Sequence, residues 1–185
     1  SSLEKDIMSL TGLVQSHLIL GKVKDATSVA KDALMLMPKS PIPFILIGQC
    51  LARTSNGSPE SIKAYVKALK IHPDNTKAAS LLAESYVSQG KLHEASLCLR
   101  GVLDRQSNSN TNDYRLRTQF AKILSSLANY TEAIEQLHIS IGNTPISVDN
   151  IEASTELEKV ENLLHAMSTE QEQEHDEDYP DGEDL

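Results

Sequence analysis

The chain has 185 residues, no Trp, 4% aromatic residues and a formal net charge of −9. With so few aromatics a core has to come from Leu, Ile, Val and Ala, which suits packed helices better than a β-sandwich. Residues 168–185 hold nine of the 26 acidic residues and no Lys or Arg, so the body carries 17 acids against 17 bases, and the lack of a basic excess argues against nucleic-acid binding as its main role.

Cys50 and Cys98 are the only cysteines and make no disulfide framework. No run nears the roughly 20 apolar residues needed to cross a bilayer. The chain opens Ser-Ser-Leu without Met and enters a helical pattern almost at once, which reads as a fragment, so the absence of a leader says little. A reducing compartment is the default expectation.

In chain order, four segments carry the same landmarks. The first has Leu13, His17, Gly21, Ala26, Ala30, Ala33 and Pro38. The second has Ile47, Gly48, Leu51, Tyr65, Ala68 and Pro73. Leu82, Ala83, Tyr86, Gly90, Ala95, Leu99 and Val102 mark the third. Phe120, Ala121, Leu124, Ala128, Ala133, Leu137 and Pro145 mark the fourth. These predict helix pairs at about 7–40, 41–75, 76–109 and 114–147.

Each landmark has a physical reason. A small residue at the eighth position of the first helix (Val14, Gly48, Ala83, Ala121) allows close approach to the second helix, Val14 being the poorest fit. Gly21 and Gly90 suit the turn that ends the first helix, where φ > 0 is often required. Ala26, Ala95 and Ala133 fall where the two helices cross. Pro38, Pro73 and Pro145 stop the second helix. Arg53 to Pro59 reads as a polar loop with Pro59 near the start of the next helix. Ser107 to Asn112 reads as a connection, with Asp113 a cap for the helix that follows.

A fifth pattern spans Val148 to Met167, with Ile151, Leu157, Val160, Leu163, Leu164 and Met167 largely on one face. It predicts a capping helix over 148–167, since an array must cover its last apolar face. Residues 168–185, acidic and almost without apolar side chains, are expected to be disordered.

The four segments share a period of about 34 residues and together resemble the tetratricopeptide repeat family over nearly all of 7–147. The resemblance implies an all-α, right-handed helical solenoid with a C-terminal capping helix. Four stretches narrow it: Leu34-Met-Leu-Met-Pro-Lys-Ser40, Ala68-Leu-Lys-Ile-His-Pro-Asp74, Tyr130-Thr-Glu-Ala-Ile-Glu135, and Glu156-Leu-Glu-Lys-Val-Glu161 running into the acidic tail. In this order they resemble the C-terminal part of the repeat subunits of the anaphase-promoting complex (cyclosome). That resemblance implies a non-catalytic scaffold subunit of a mitotic ubiquitin ligase. Its partners would be other protein subunits, chiefly other repeat subunits, and its compartment the nucleus, with the cytoplasm as the alternative. Homodimerisation in this group is attributed to N-terminal repeats. Neither a cofactor, a small-molecule substrate, direct nucleic-acid contact nor a membrane is implied. The alternative is a general adaptor that binds a short peptide in the concave groove.

Three positions of the first helix in each pair should point into that groove. The second gives Met8, Ile42, Lys77 and Arg115; the fifth gives Thr11, Ile45, Ser80 and Thr118; the ninth gives Gln15, Gln49, Glu84 and Lys122. The competing reading is a solvated face. The carboxylate clamp of co-chaperone repeats is largely missing, since its offsets hold Thr11, Gln15, Lys77 and Leu81. His17, His72, His93 and His138 form no close cluster with metal-ligand spacing. Cys50 and Cys98 read as packing residues. No phosphate-binding glycine loop or nucleophile elbow occurs. Asn56 and Asn129 start glycosylation sequons that read as chance matches, and Ser58-Pro59 is the one proline-directed motif in an expected loop. The tail is read chiefly as a solubility element, then as a ligand for a basic surface.

Overall fold

A computed structural model describes residues 2–54, 59–106, 113–143 and 148–177. The expected loop at 107–112, most of the one at 53–59, Ser58, Thr144, Pro145 and the end of the tail from 178 lie outside the described residues. The described backbone is helical apart from short turns: α1 (Ser2–Ile19), α2 (Val23–Leu36), α3 (Ile42–Thr54), α4 (Pro59–Ile71), α5 (Thr76–Ser88), α6 (Leu92–Gln106), α7 (Tyr114–Ser126), α8 (Tyr130–Asn143) and α9 (Val148–Glu177). The chain is all-α and of tetratricopeptide type. It divides into two compact units, Ser1–Asn112 and Asp113–Leu185.

In the first unit α1/α2, α3/α4 and α5/α6 pack as antiparallel pairs, and each pair packs on the next through α2 on α3 and α4 on α5. The first helices also touch directly, α1 on α3 and α3 on α5. In the second unit α7 and α8 form one pair, and α9 lies against both.

Small residues set the spacing within pairs. Ala26, Ala30, Ala33, Ala68, Ala83, Ala95, Ala121 and Ala133 are fully buried, as is Val14. Gly48 has the tightest fit: a Cβ there would sit 2.4 Å from Cε1 of Tyr65, whose side chain is itself buried. Around these contacts the core is aliphatic, with Leu46, Leu99, Leu116, Leu124 and Leu137 among its largest buried side chains.

Three turns between helices close in the same way. The N–H of Lys22 donates to His17 O (2.8 Å), that of Lys91 to Tyr86 O (2.9 Å) and that of Asn129 to Leu124 O (2.9 Å). This closure satisfies end carbonyls and needs a left-handed residue just before the donor. Gly21 (φ 71°) and Gly90 (φ 73°) fill it twice, and Ala128 (φ 59°) fills it the third time. Asn75 and Asp113 cap the helices that follow them, accepting from Ala78 N (2.8 Å) and Leu116 N (3.0 Å).

Several boundaries differ from the sequence expectation. α1 begins at Ser2 rather than near residue 7. Arg53 and Thr54 belong to α3 instead of a loop, and the Thr54 hydroxyl donates back to Leu51 O (2.7 Å). α9 continues to Glu177, past the expected end at 167, so residues 168–177 are helical where disorder was expected. Hydroxyls of Ser168 and Thr169 bond back to Leu164 O and Ala166 O, and the Glu/Gln run beyond them has high helix propensity. Ile151 is 66% exposed; the buried positions of α9 are Ala153 and Val160.

Two tests follow from the packing and the turns. Gly48→Ala should lower stability by about 1–3 kcal/mol in chemical denaturation, because the Tyr65 ring has no room to move, while Gly12→Ala in α1, with nothing within 4 Å, should be neutral or mildly stabilising. Ala128→Gly should raise stability by roughly 0.5–1 kcal/mol, since it removes a left-handed alanine at some cost in backbone entropy; a lower melting temperature would refute that account of the turn.

Candidate protein-interaction surfaces

The candidate groove residues lie on α1, α3, α5 and α7, and the structure separates them into three groups. Ile45 and Thr118 are buried and belong to no open surface. Ile45 packs in a core cluster with Phe44, Ala68 and Ala78. The Thr118 hydroxyl bonds to Tyr114 O (3.0 Å) and to Ser140 Oγ (2.9 Å), bridging α7 to α8. The fifth position therefore turns toward neighbouring helices in these two repeats, which corrects the expectation of a continuous groove row. Ile42 is half-buried against the cluster around Val14 and Leu46.

A second group is half-buried or exposed and already engaged within the chain. Gln15 Nε2 donates to Gln49 Oε1 (2.8 Å), joining α1 to α3 across one repeat. Ser80 and Glu84 share a hydrogen bond of 3.4 Å on α5. Arg115 pairs with Asp149 (2.9 Å) and Lys122 with Glu152 (2.5 Å), both across the α7–α9 contact. α9 thus places its first turns where the next repeat's first helix would lie, and its acids meet the basic positions expected to anchor a ligand. Met8, 75% exposed, and Lys77 are exposed, and Thr11 is half-buried.

Apolar surface, which the groove reasoning missed, is concentrated on the first helix pair. Ile19 (81% exposed), Leu20 (67%), Met35 (76%) and Leu36 (66%) stand at the C-terminal ends of α1 and α2. At the same offsets as Ile19, Met35 and Leu36, the third pair has Ser88, Asp104 and Arg105, and the fourth has Ser126, Gly142 and Asn143. Comparing the first pair with the third and fourth position by position would have found this signal, although the second pair keeps an apolar residue, Ile71, at the offset of Leu36.

Among the described residues the titratable groups make no catalytic constellation. A cavity of about 870 Å³ beside the α1–α2 turn is lined by Lys22, Lys24, Lys31 and Asp25, together with Thr27, Ser28 and Thr54. It holds one carboxylate among three ammonium groups and neither His nor Cys. Cys50 is fully buried, and burial raises its thiol pKa. Cys98, half-buried, is pushed up to about 11 by burial. Both therefore stay protonated and unreactive near neutral pH, the reverse of an activated thiolate. Nδ1 of the half-buried His17 is shielded from solvent and has no hydrogen-bond partner among the described residues. Among the described residues no three His, Cys, Asp or Glu side chains are grouped to hold a metal ion, and no helix is long and apolar enough to cross a membrane.

Residues 59–138 match the family model for anaphase-promoting complex, cyclosome, subunit 3. Among curated proteins, anaphase-promoting complex subunit 7 of Arabidopsis thaliana is 28% identical over 167 residues, covering 90% of this chain and 28% of its own length. Subunit 7 of Dictyostelium discoideum is 33% identical over 104 residues, covering 56% of this chain and 18% of its own. The chain thus spans less than a third of either relative. Among solved structures, a putative kinesin light chain with nearly identical tetratricopeptide-like repeats from Podosopora anserina superposes with a TM-score of 0.68 at 15% identity, covering 90% of each chain. That likeness shows the fold alone.

The engagement of α7 by α9 can be tested by charge reversal. Lys122→Glu sets a carboxylate against Glu152 and should cost roughly 0.5–1 kcal/mol, as is usual for an exposed pair. Adding Glu152→Lys should restore most of it in thermal denaturation. Equal stability of all three proteins would show that the pair contributes nothing to holding α9.

Proposed function

Because the chain is a tetratricopeptide-repeat protein similar to subunit 7 of the anaphase-promoting complex, we propose that it serves as a non-catalytic scaffold within that ubiquitin ligase. In this reading it holds neighbouring subunits through surfaces at the helix ends, acts in mitosis and works in the nucleus. The similarity to subunit 7 covers most of the chain, and the stretches that carry the resemblance in the sequence fall within it.

One structural observation carries the reading: the apolar surface of the first helix pair. Four large side chains, Ile19, Leu20, Met35 and Leu36, are each at least 66% exposed, and three stand where the third and fourth pairs have residues that are polar or lack a side chain. Because the pair is antiparallel, Ile19 and Leu20 stand at its turn end and Met35 and Leu36 about 20 Å away at the other, and exposed large apolar side chains grouped at a helix end support contact with another protein. The inner face offers less. Its amides bond to each other, and its cations at Arg115 and Lys122 are matched by acids of the same chain. A peptide adaptor would instead present free charged anchors along the groove, and among the described residues Lys77 is the one candidate cation without an ion pair.

The test is affinity purification of the full-length parent protein from dividing cells, with mass spectrometry. Wild type should recover anaphase-promoting complex subunits. A Met35→Glu, Leu36→Glu variant should lose at least one of them by ~5-fold or more, the effect of about 1 kcal/mol at an interface. A Gln49→Arg, Lys77→Glu groove variant should retain them. Recovery of unrelated proteins sharing a short motif, lost only in the groove variant, would establish the adaptor reading instead.

A further inference from the structure

The cavity of about 870 Å³ beside the α1–α2 turn lies wholly within the first unit. Lys22, Lys24 and Lys31 line it, all three exposed. Among the described residues none of them is in an ion pair, whereas Arg105, Arg115, Lys122 and Lys159 each meet a carboxylate. Asp25 is the one acid in the lining. The cavity therefore gathers an uncompensated positive charge that the fold itself does not neutralise.

Neutral donors accompany the cations. The hydroxyls of Thr27 and Thr54 are engaged by their own helices, donating to Val23 O (2.8 Å) and Leu51 O (2.7 Å). Ser28 is exposed and makes no hydrogen bond among the described residues. No side chain caps α2 at Lys22. An uncapped helix end is common; here its positive pole adds to a cavity that already holds three unpaired ammonium groups.

The repeat does not require this arrangement. At the offsets of Lys22, Lys24 and Lys31 the second pair has Gly57, Pro59 and Val66, and the fourth has Asn129, Thr131 and His138. The third pair keeps Lys91 and Arg100 but has Leu97 at the offset of Ser28. Only the first pair joins three lysines to a free hydroxyl.

Charge and size specify what fits. The volume lies within the range of about 300–1,000 Å³ that is usual for sites enclosing a whole ligand, more than a bare ion needs. A phosphoryl group carries a charge of about −1.5 to −2 and three acceptor oxygens, which suits three ammonium groups beside one carboxylate. Ile19 (81% exposed) and Leu20 (67%) immediately precede the turn, so apolar surface adjoins the charged lining. A peptide can present a phosphoryl group and an apolar side chain next to each other. A nucleic-acid backbone or a bilayer is matched instead by basic residues spread over a wide surface, and here they are gathered in one concave site.

We propose that the cavity beside the α1–α2 turn binds a phosphorylated Ser or Thr side chain of a partner protein, with Lys22, Lys24 and Lys31 holding the phosphoryl group and Ile19 and Leu20 receiving an apolar neighbour. The inference does not rest on the scaffold reading, which is tested at Met35 and Leu36 at the other end of the pair.

The probe is a degenerate fluorescent peptide library with phosphoserine fixed at its centre, compared with the same library carrying serine there. The purified whole chain should bind the phosphorylated library saturably and the serine library at least ~10-fold more weakly. Peptides recovered from the bound fraction should be enriched in apolar residues beside the phosphoserine. Lys22→Ala with Lys31→Ala should weaken binding by a similar factor, with helical content unchanged by circular dichroism. Lys63→Ala with Lys70→Ala removes the same charge from exposed positions of α4 outside the cavity and should leave the affinity within ~2-fold. Absence of binding, equal binding of the two libraries, or equal losses in the two lysine variants would each overturn the proposal. So would tighter binding to phosphatidylserine vesicles that is lost in Lys22→Ala with Lys31→Ala, since the occupant would then be a bilayer.

Discussion

The close approach of the two helices within each pair is the constraint on which the rest depends. It is tightest at Gly48, where Tyr65 occupies the space any larger residue would need. Buried alanines serve the same purpose in the other pairs. A chain without Trp cannot fill wide gaps with a few large side chains, so it brings backbones together and packs aliphatic residues between them. Once the helices are that close, the turn joining them has little freedom. Three turns adopt the same left-handed closure, and the third does so with Ala128, where sterics disfavour it. That the geometry persists with an alanine indicates that helix packing dictates the turn, rather than the reverse.

The same closeness determines which side chains remain available to partners. With the first helices of successive pairs in contact, their inner-face residues reach one another before they reach solvent. The Gln15–Gln49 hydrogen bond, with partners 34 residues apart, shows this directly. The α7–α9 ion pairs show it again, with α9 in place of a further repeat. Each such contact is individually weak. Within each unit they engage several inner-face polar groups, while the most exposed large apolar side chains of the first pair stand at its two ends. This distribution suits a scaffold whose contacts are broad and apolar better than a receptor that holds one charged peptide in its groove.

Much of the fold was legible in the sequence because a repeat states its rules several times. Small residues at the crossings, Gly at two turns, the Asp113 cap and the aliphatic rows all recur at a fixed spacing, so the helix pairs could be located from pattern alone. The binding surface was legible only in part. An offset that faces the groove in one repeat turns inward in another, as Ile45 and Thr118 do, because small rotations of a helix move a boundary residue from one side to the other. Ala128 carried no turn signature, since its left-handed conformation is imposed by neighbours rather than by its own preference. Ile151 fitted an apolar face by spacing but lies outside the buried face of α9, which Ala153 defines. Alanine reads weakly in a hydrophobic pattern although it is fully buried here.

α9 shows how one helix can serve two environments. Its first half is fixed by burial of Ala153 and Val160 and by acids that match the bases of α7. Its second half has no helix of its unit beside it, yet it remains helical through a Glu- and Gln-rich sequence whose intrinsic propensity is high. A cap needs only to cover the last repeat, and a helix ending near residue 162 would do so. The further residues keep the apolar spacing for two more positions, Leu164 and Met167, among neutral neighbours, and the acidic run begins only at Glu170. Continued periodicity without an internal partner is hard to attribute to the stability of the repeat itself.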